Sequence, residues 1–259
     1  MLAKKLEGLG SALVAYSGGV DSAYLAWAAR RALGDQMLAV LADSPSLAEF
    51  QKRDAIEFAR AYDIPLEVMR TEEFSDPDYL KNAPDRCFHC KDELFVKLDA
   101  MARERGFQSI IYGVNADDTG DFRPGHRAAA EHGVRSPLLE AGLTKADVRY
   151  LAKQAGLPVW DRPASACLSS RIPYGTPVTI QNIGMVENGE DAIRALGFRQ
   201  FRVRHHGEVV RIEIAPEELA KALDPEMARR FTEIFKKLGY KYVTLDLEGY
   251  RAGSLNEVL

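Results

Sequence analysis

Residues 11–22 read SALVAYSGGVDS, and they join an apolar run to a helical pattern through a turn of serine and glycine. The run Ala12–Tyr16 predicts a strand, and residues 20–33 predict a helix. Glycine lets a backbone approach an anion closely, and the free N–H groups that begin a helix point at the anion with the positive end of the helix dipole. The loop lacks the lysine that a Walker phosphate loop requires. The segment therefore predicts a phosphate cradle of a different type.

The composition is that of a globular protein. The chain has 259 residues, 46% of them hydrophobic and 28% charged, which suits one large domain or a medium and a small one. No segment reaches the roughly 18 uninterrupted apolar residues of a membrane span. Residues 1–7 lack the apolar core of a signal peptide and predict a short amphipathic helix, so we expect a cytoplasmic protein without membrane contact. The formal net charge of −4 disfavours non-specific nucleic-acid binding, which relies on a basic surface.

Short apolar segments alternate with amphipathic ones in the first half of the chain. This pattern is typical of βαβ units and of a parallel sheet covered by helices on both faces. We expect an α/β fold, with a doubly wound parallel sheet in residues 1–174 and a smaller α+β domain, ferredoxin-like in its sheet, in residues 175–259. The predicted strands are 12–16, 37–42, 65–70, 108–113, 198–204, 208–214 and 240–246, and the predicted helices are 20–33, 46–62, 90–105, 144–155, 180–196, 216–222 and 225–238.

Two of the predicted helices begin with capping signals. Ser46 with Glu49, and Thr144 with Asp147, have the spacing of a capping box. Residues 115–137, which are rich in Asp, Gly, Arg and His, predict a loop.

Several polar or glycine-containing segments follow the predicted strands. They are the Ser-Gly-Gly turn, Asp43-Ser44 and Gly113-Val114-Asn115. Ligands of parallel sheets bind at the carboxyl ends of the strands, so we expect these segments to line one nucleotide site.

The chain has three cysteines: Cys87 and Cys90 form a C-x-x-C motif, and Cys167 lies far along the chain. An odd number of cysteines in a reducing compartment favours metal binding or thiol chemistry over disulfides. Three thiolates can hold a [4Fe–4S] cluster by three of its irons, which leaves the fourth iron open to an exogenous sulfide.

Three other interpretations of the cysteines stay open at this point. His89 could complete a Cys₃His zinc site, although its place inside the C-x-x-C strains simultaneous ligation. The thiols could instead be unrelated, buried small apolar groups. Cys167 could also act alone as a reactive thiol beside the cations Arg162 and Arg171, which favour its thiolate.

A series of motifs runs in order along the chain: SGGVDS (17–22), RCFHCK (86–91), YGVNADD (112–118), DFRPG (121–125), SPL (136–138), GLTK (142–145), WDRP (160–163), ACLSSR (166–171) and RVRH (202–205). The first by itself resembles the pyrophosphate loop of ATP pyrophosphatases, which split ATP between its α and β phosphates. Together the motifs resemble the LarE family, ATP-dependent sulfur transferases of nickel-pincer nucleotide synthesis, the pathway that makes the lactate racemase cofactor.

The resemblance implies a two-step reaction. In the first step, ATP adenylates a ring carboxylate of pyridinium-3,5-biscarboxylic acid mononucleotide, and pyrophosphate is released. In the second step, a sulfur nucleophile expels AMP and leaves a thiocarboxylate. The same two steps are then repeated on the second carboxylate. One branch of the family sacrifices the sulfur of a single cysteine, which matches Cys167. The other carries a [4Fe–4S] cluster on cysteines that match Cys87, Cys90 and Cys167. All three are present here, so we favour the cluster branch.

The resemblance also implies cofactors and partners. The cofactors are ATP, Mg²⁺ and the [4Fe–4S] cluster. The expected partners are the small nucleotide substrate, a sulfide donor and a nickel-insertion enzyme that receives the product. The family forms trimers and hexamers, so we expect a homo-oligomer.

The candidate residues fall into three sets, chosen because adenylation needs preorganised cations and N–H donors more than a general base. Candidates for catalysis are Cys167, Cys87, Cys90, Asp21, Lys91 and Arg171. Candidates for binding ATP and pyrophosphate are Ala15, Ser17, Gly18, Gly19, Asp21, Ser22, Ala42, Ser44 and Gly113. Candidates for binding Mg²⁺ are Asp21 and Asp117.

Two further hypotheses concern the second domain. Arg202 and Arg204 alternate along a predicted strand, so both guanidinium groups lie on one face and suit the 5′-phosphate of the substrate. Glu190 and Glu213, with His205 and His206 nearby in the sequence, form a second hypothetical metal site.

Other functions compete with this assignment. A tRNA thiolase of the pyrophosphate-loop class combines the same loop with a C-x-x-C, but the acidic composition and the absence of a Lys/Arg-rich extension count against it. An amidotransferase would need a glutaminase domain, for which the chain has no room. A nucleotide-sensing module that has lost turnover is the non-enzymatic alternative, and the intact Asp21 and the three cysteines count against it.

Overall fold

The computed structural model describes residues 1–120, 124–163, 166–251 and 254. The chain folds as two compact units, the first comprising Met1–Asp76 and Asp85–Ser165 and the second comprising Pro77–Pro84 and Ala166–Leu259. The division falls between residues 165 and 166 rather than at 174, and the second unit takes in a short segment from the middle of the first. Residues 121–123 of the DFRPG motif lie outside the described residues.

The first unit contains a four-stranded parallel sheet in the order β3-β2-β1-β4. This order confirms the expected α/β fold with a doubly wound parallel sheet. Its strands are β1 (Ala12–Tyr16), β2 (Met37–Asp43), β3 (Leu66–Arg70) and β4 (Ser109–Tyr112), and the helices from the start of the chain to its middle are α1 (Leu2–Glu7), α2 (Val20–Leu33), α3 (Glu49–Ala61), α4 (Pro77–Leu80, in the second unit), α5 (Arg86–Arg105), α6 (Pro124–Glu131), α7 (Pro137–Glu140) and α8 (Lys145–Gln154).

The central strand β1 is apolar throughout because both of its faces are covered. Ala12, Val14 and Tyr16 pack in one core with residues of α1, α2, α3 and α8. Leu13 and Ala15 point to the opposite face and pack in a second core with residues of α5 and α6. Side chains of a strand alternate between faces, so this continuous apolar run is the expected signature of a strand between two helical layers.

Some local predictions are confirmed and others are wrong. The capping box at Thr144 and Asp147 forms at the start of α8. Near the predicted pair Ser46 and Glu49, α3 begins at Glu49 rather than at residue 46, and the backbone N–H of Ser46 donates to the hydroxyl of Ser44 at 2.9 Å. The predicted loop of residues 115–137 contains α6, a helix that the polar composition of the segment concealed.

A histidine between two carboxylates joins α6 to α5. His132, just after α6, places its Nδ1 2.7 Å from Asp99 and its Nε2 2.9 Å from Asp92. Partial burial alone would lower the pKa of His132, but hydrogen bonds to Asp99 and Asp92 outweigh it and raise the pKa above the usual 6.5. The imidazolium is thus the form that holds the two helices together.

This clamp should make stability depend on pH. Because the folded-state pKa is raised, the contribution of His132 is fully present below about pH 6.5 and is lost as pH rises through the higher folded value. Replacement by glutamine should lower the free energy of unfolding by about 1 kcal/mol at pH 6 and by less at pH 9, measured by urea denaturation. An equal loss at both pH values would contradict a charged clamp.

The second unit contains a three-stranded mixed sheet in the order β5-β6-β7 among the described residues. The pair β5–β6 is antiparallel and β6–β7 is parallel, so the expected ferredoxin-like pattern, which is antiparallel, is not formed. The elements are α9 (Ile180–Ala195), β5 (Phe201–His206), β6 (Val209–Ile214), α10 (Pro216–Ala222), α11 (Pro225–Lys237) and β7 (Tyr242–Leu245). The smaller α+β region itself is confirmed.

Asn82 shows why residues 77–84 belong to the second unit. Its side-chain amide lies 3.2, 2.8 and 2.9 Å from the carbonyl oxygens of Ile172, Pro173 and Thr176, and the residue is fully buried. Its backbone carbonyl accepts from Gly175. These hydrogen bonds replace water for the polar backbone of a loop that would otherwise be buried without partners.

None of the helices in the described part of the chain combines the length and the apolar character that crossing a membrane requires.

Candidate functional site

The loop between β1 and α2 is built around a glycine that tolerates no side chain. Gly18 has a φ of 74°, and a Cβ at this position would lie 2.7 Å from the Cβ of Ala55. Gly19 is the N-cap of α2 and has no side chain that could occupy the free N–H groups of the helix. The first turn of α2 therefore keeps its N–H groups for an anion.

Two serines close this loop. The hydroxyl of Ser22 accepts from the backbone N–H of Ser17 at 3.1 Å, lies 3.0 Å from the hydroxyl of Ser17, and donates to the carbonyl of Gly19 at 3.1 Å. The side chain of Ser22 thus fixes the curvature of the loop from inside. Preorganised N–H donors lose no energy to rearrangement when an anion binds.

The end of β4 packs directly on the start of α2. A Cβ at Gly113 would lie 2.7 Å from the backbone nitrogen of Ser22 and 2.9 Å from the carbonyl carbon of Asp21. In the order β3-β2-β1-β4, the direction of winding reverses between β1 and β4. Ligands of open parallel sheets bind at such a switch point, beyond the carboxyl ends of the strands.

Four polar residues meet at this switch point. Asp21 accepts from the side-chain amide of Asn115 at 3.3 Å and forms an ion pair with Lys145. Asp117 accepts from the backbone N–H of Lys145 at 2.9 Å, and its own N–H donates to the side chain of Asn115 at 3.0 Å. The site thus brings together the two aspartates that the sequence suggested for Mg²⁺ with one amide and one cation.

The oxygen donors here suit Mg²⁺, which is held by one or two carboxylates while phosphate oxygens and waters complete its octahedron. Asp21 and Asp117 could supply such carboxylates. Within residues that the structure describes, no three or more His, Cys, Asp or Glu side chains form a ready metal site.

Lys145 is a site residue that sequence reasoning missed. It is the first residue of α8, where a cation is disfavoured by the helix dipole. The sequence shows a lysine directly after a capping threonine, but nothing there identifies Asp21 as its partner.

After β2, the side chain of Ser44 is used in hydrogen bonds within the protein. Its hydroxyl accepts from the N–H of Ser46 and donates to the carboxylate of Glu73. Glu73 is only 2% exposed, and its Oε2 has no hydrogen-bond partner among the described residues. Ala42 and Ala15 contribute small side chains to the core beneath this region, so a ligand would meet their backbone groups.

Cys87 and Cys90 lie in the first turn of α5, three residues apart and hence on one face of the helix. Cys87 is exposed, Cys90 is partly exposed, and neither forms a disulfide. Lys91 follows them; a Cβ at Gly125 would lie 3.0 Å from its Cγ, so α6 packs close against this lysine.

His89 makes a poor zinc ligand in this arrangement. Its Nδ1 lies 3.6 Å from Asp76 and its Nε2 lies 3.6 Å from Asp85, so both ring nitrogens already face carboxylates. The zinc interpretation of the cysteines therefore has no support from the surroundings of His89.

Cys167 belongs to the second unit, where a buried arginine holds its backbone. Cys167 is exposed and is the N-cap of a single 3₁₀ turn, Leu168–Arg171. The guanidinium of Arg171 donates to the carbonyls of Ala166 at 2.7 Å and Cys167 at 2.9 Å. Arg171 is 1% exposed, and these hydrogen bonds hold the backbone at Ala166 and Cys167.

Arg162, which the sequence placed beside Cys167, belongs to the first unit. Its guanidinium donates to the carbonyl of Gly18 at 3.4 Å and lies 3.4 Å from the carboxylate of Asp54. Its contacts are thus with the phosphate loop.

The two glutamates of the hypothetical second metal site are both engaged by arginines. Glu190 receives Nε and an Nη of Arg171 at 2.8 and 3.1 Å, and Glu213 receives Arg204 at 2.8 Å. His205, by contrast, contacts the hydroxyl of Tyr240 at 3.0 Å, and burial lowers its pKa. Both carboxylates thus form buried ion pairs with arginines, and the metal site stays a hypothesis.

The pair Arg171–Glu190 should be important for stability. Glu190→Gln leaves the buried guanidinium without a counter-charge, and breaking such a pair typically costs about 3–5 kcal/mol. Urea denaturation should show a loss of that size. Asp191→Asn, which removes an exposed carboxylate paired with Arg194 on the same helix, should cost less than about 0.5 kcal/mol. Equal effects of the two substitutions would contradict a structural role for the buried pair.

The sheet order, the glycine-dependent loop and the aspartates at the switch point define an ATP-using protein of the pyrophosphate-loop class. The chain is 36% identical, over its full length and 93% of the relative, to the pyridinium-3,5-bisthiocarboxylic acid mononucleotide synthase of Lactiplantibacillus plantarum. It is 42% identical, over its full length and 99% of the relative, to an uncharacterized protein of Synechocystis sp.. It is 32% identical to one component of the glutamine-hydrolyzing GMP synthase of Methanococcus maripaludis, over 56% of this chain and 50% of that one.

No family model matches the sequence. The chain belongs to the family of the pyridinium-3,5-bisthiocarboxylic acid mononucleotide synthase, the LarE family.

Proposed function

We propose that this protein is an ATP-dependent sulfur transferase that converts the two carboxylates of pyridinium-3,5-biscarboxylic acid mononucleotide to thiocarboxylates. The observation that carries the proposal is the 36% identity, over the full length of this chain, to a synthase of the bisthiocarboxylic product. The intact pyrophosphate-loop motif at the switch point of the sheet supports it. The sulfur must come from a donor, and the product must pass to an enzyme that inserts nickel. A homo-oligomer, trimer or hexamer, stays part of the proposal.

In the first step, a carboxylate oxygen of the substrate bonds to the α-phosphorus of ATP. The bond from that phosphorus to the bridging oxygen breaks, and pyrophosphate leaves with the electron pair. The carboxylate is already ionised, so no general base is needed. The N–H groups of the loop and of the first turn of α2 stabilise the pyrophosphate, and Arg162 adds positive charge beside Gly18. Asp21 and Asp117 would hold Mg²⁺, which neutralises phosphate charge when bound.

In the second step, a sulfur nucleophile attacks the acyl carbon, and AMP leaves with the bonding electron pair. In this proposal Cys87, Cys90 and Cys167, none of which forms a disulfide, would hold three irons of a [4Fe–4S] cluster. Such a cluster, when bound, would supply sulfide at its fourth iron. The alternative donor is Cys167 itself. Its thiolate would bond to the acyl carbon as AMP leaves; water or a base would then take the Cα proton, the Cβ–Sγ bond would break with its electron pair on the thiocarboxylate, and dehydroalanine would remain.

The substrate's phosphate is assigned to β5. Arg202 is partly buried, and the pKa of its guanidinium is lowered by burial and by the positive charge of Arg171. The charged form of a guanidinium held under such conditions is stabilised when an anion binds beside it. Its guanidinium also lies 4.9 Å from the ring of Tyr250, which fixes its orientation. Arg204 has fewer donor groups left for a phosphate, because its guanidinium donates to the carbonyl of Ser170 and to the carboxylate of Glu213.

The proposal is tested on protein purified without oxygen. Iron, acid-labile sulfide and zinc are quantified, and the protein is then incubated with ATP, Mg²⁺, sulfide and the dicarboxylate mononucleotide. We expect about four iron and four sulfide per chain, pyrophosphate and AMP in equal amounts, and a product that contains sulfur. Pyrophosphate release that depends on tRNA instead would identify a tRNA thiolase. Nucleotide binding without any pyrophosphate release would identify a sensing module.

A further inference from the structure

The carboxylate of Asp21 already has a cation. Lys145 ion-pairs with it, across 124 positions of sequence, and Asn115 donates to its other oxygen at 3.3 Å. The lysine side chain is 36% exposed and that of the aspartate is 17% exposed. A bare divalent ion that approaches Asp21 must therefore displace an ammonium group or accept its repulsion.

The position of Lys145 is imposed on it by its surroundings. Its backbone N–H donates to Asp117 at 2.9 Å, and it begins α8, where the helix dipole disfavours a positive side chain. A cation kept at an unfavourable helix end needs an anionic partner nearby. Asp21 supplies that partner in this structure, and the negative oxygens of a phosphate group in the loop would be the alternative.

We propose that Lys145 is an internal counter-ion that makes metal binding at Asp21 depend on nucleotide binding. It neutralises Asp21 until a triphosphate arrives; its ammonium group then turns to the phosphate oxygens, and Asp21 is released to the divalent ion. The inference rests on the proposed use of ATP and Mg²⁺ at this site. It adds that metal and nucleotide bind cooperatively, and that one side chain carries the coupling.

The test measures metal binding without turnover. Mn²⁺ replaces Mg²⁺, and its free concentration is followed by electron paramagnetic resonance with and without α,β-methylene-ATP, whose α–β bridge is not cleaved. We expect the nucleotide to tighten Mn²⁺ binding by the wild-type protein about 10- to 100-fold, within the usual range of coupling between two sites. In Lys145→Gln, Mn²⁺ alone should bind about 10-fold more tightly, and the coupling should fall to within about 3-fold of none.

Matched variants separate this role from a general effect of charge. Lys153→Gln removes a positive charge from the same helix, where Lys153 lies 4.3 Å from the ring centroid of Trp160, and should leave both Mn²⁺ affinities unchanged. Lys145→Arg keeps the charge and should keep most of the coupling. Lys145→Met, which retains the aliphatic stem, provides a second uncharged variant should the glutamine variant not fold.

The outcomes are distinguishable. If wild-type protein couples Mn²⁺ and nucleotide but Lys145→Gln and Lys145→Met do so equally well, the inference about Lys145 is overturned and the proposed function stands. If Lys153→Gln lowers the coupling as much as Lys145→Gln, the effect is one of net charge, and the inference is again overturned. If wild-type protein binds no nucleotide, the proposed function itself fails.

Discussion

Asp21→Asn is expected to lower the rate of pyrophosphate release about 10³-fold while the protein remains folded. The amide has the shape of the carboxylate but loses its negative charge, so it holds a divalent ion much more weakly and no longer forms an ion pair with Lys145. Removing one preorganised electrostatic group from a reaction that builds charge typically costs about 10²–10³-fold, and loss of the metal adds to this. The rate is measured as pyrophosphate released from ATP in the presence of the dicarboxylate mononucleotide.

Asp35→Asn is the matched control for Asp21→Asn. Asp35 also pairs with a basic side chain, Arg30, but it lies on the surface just after α2, far along that helix from the phosphate loop. Its substitution should leave the rate within about 2-fold of wild type, since exposed ion pairs contribute little. A rate for Asp21→Asn within about 10-fold of wild type would contradict the assignment of Asp21 to the metal.

Cys167→Ala is expected to abolish formation of the thiocarboxylate and leave adenylation within a few-fold of wild type. The cysteine is exposed at the N-cap of its 3₁₀ turn, whereas the groups assigned to the pyrophosphate belong to the loop after β1. The first step should therefore persist without the thiol, and pyrophosphate should still form. Product is measured by mass spectrometry, and adenylation by exchange of labelled pyrophosphate into ATP.

The other two cysteines decide which sulfur donor operates. Loss of product in Cys87→Ala and Cys90→Ala as well, together with loss of iron, supports the cluster. Product formation by both variants, with the mass of the wild-type chain lowered by that of one H₂S as Cys167 becomes dehydroalanine, supports Cys167 as a sacrificial donor. A Cys167→Ala protein that still makes thiocarboxylate would rule out both.

The parts of the fold that the sequence predicted well are those encoded within a few consecutive residues. The run Ala12–Tyr16 is apolar on both faces because helices cover both, and this pattern needs no knowledge of its partners. The Ser-Gly-Gly turn predicts the loop between β1 and α2, and Thr144 with Asp147 predicts the start of α8, since each signal acts over one turn of chain. The class of the sheet and the place of the phosphate loop follow from such signals.

What only the tertiary structure decided are the pairings between residues far apart in sequence. Nothing near Lys145 in the sequence shows that its partner is Asp21, and nothing near Glu190 shows that its partner is the buried Arg171. The same holds for residues 77–84, which form hydrogen bonds with the chain between Ser169 and Val178. Interactions between charges are screened in water but are strong in a partly buried site. The role of a charged side chain is therefore set by the partner that folding brings to it. The sequence by itself determined that a phosphate-binding α/β protein would form, and the packed structure determined which charges meet.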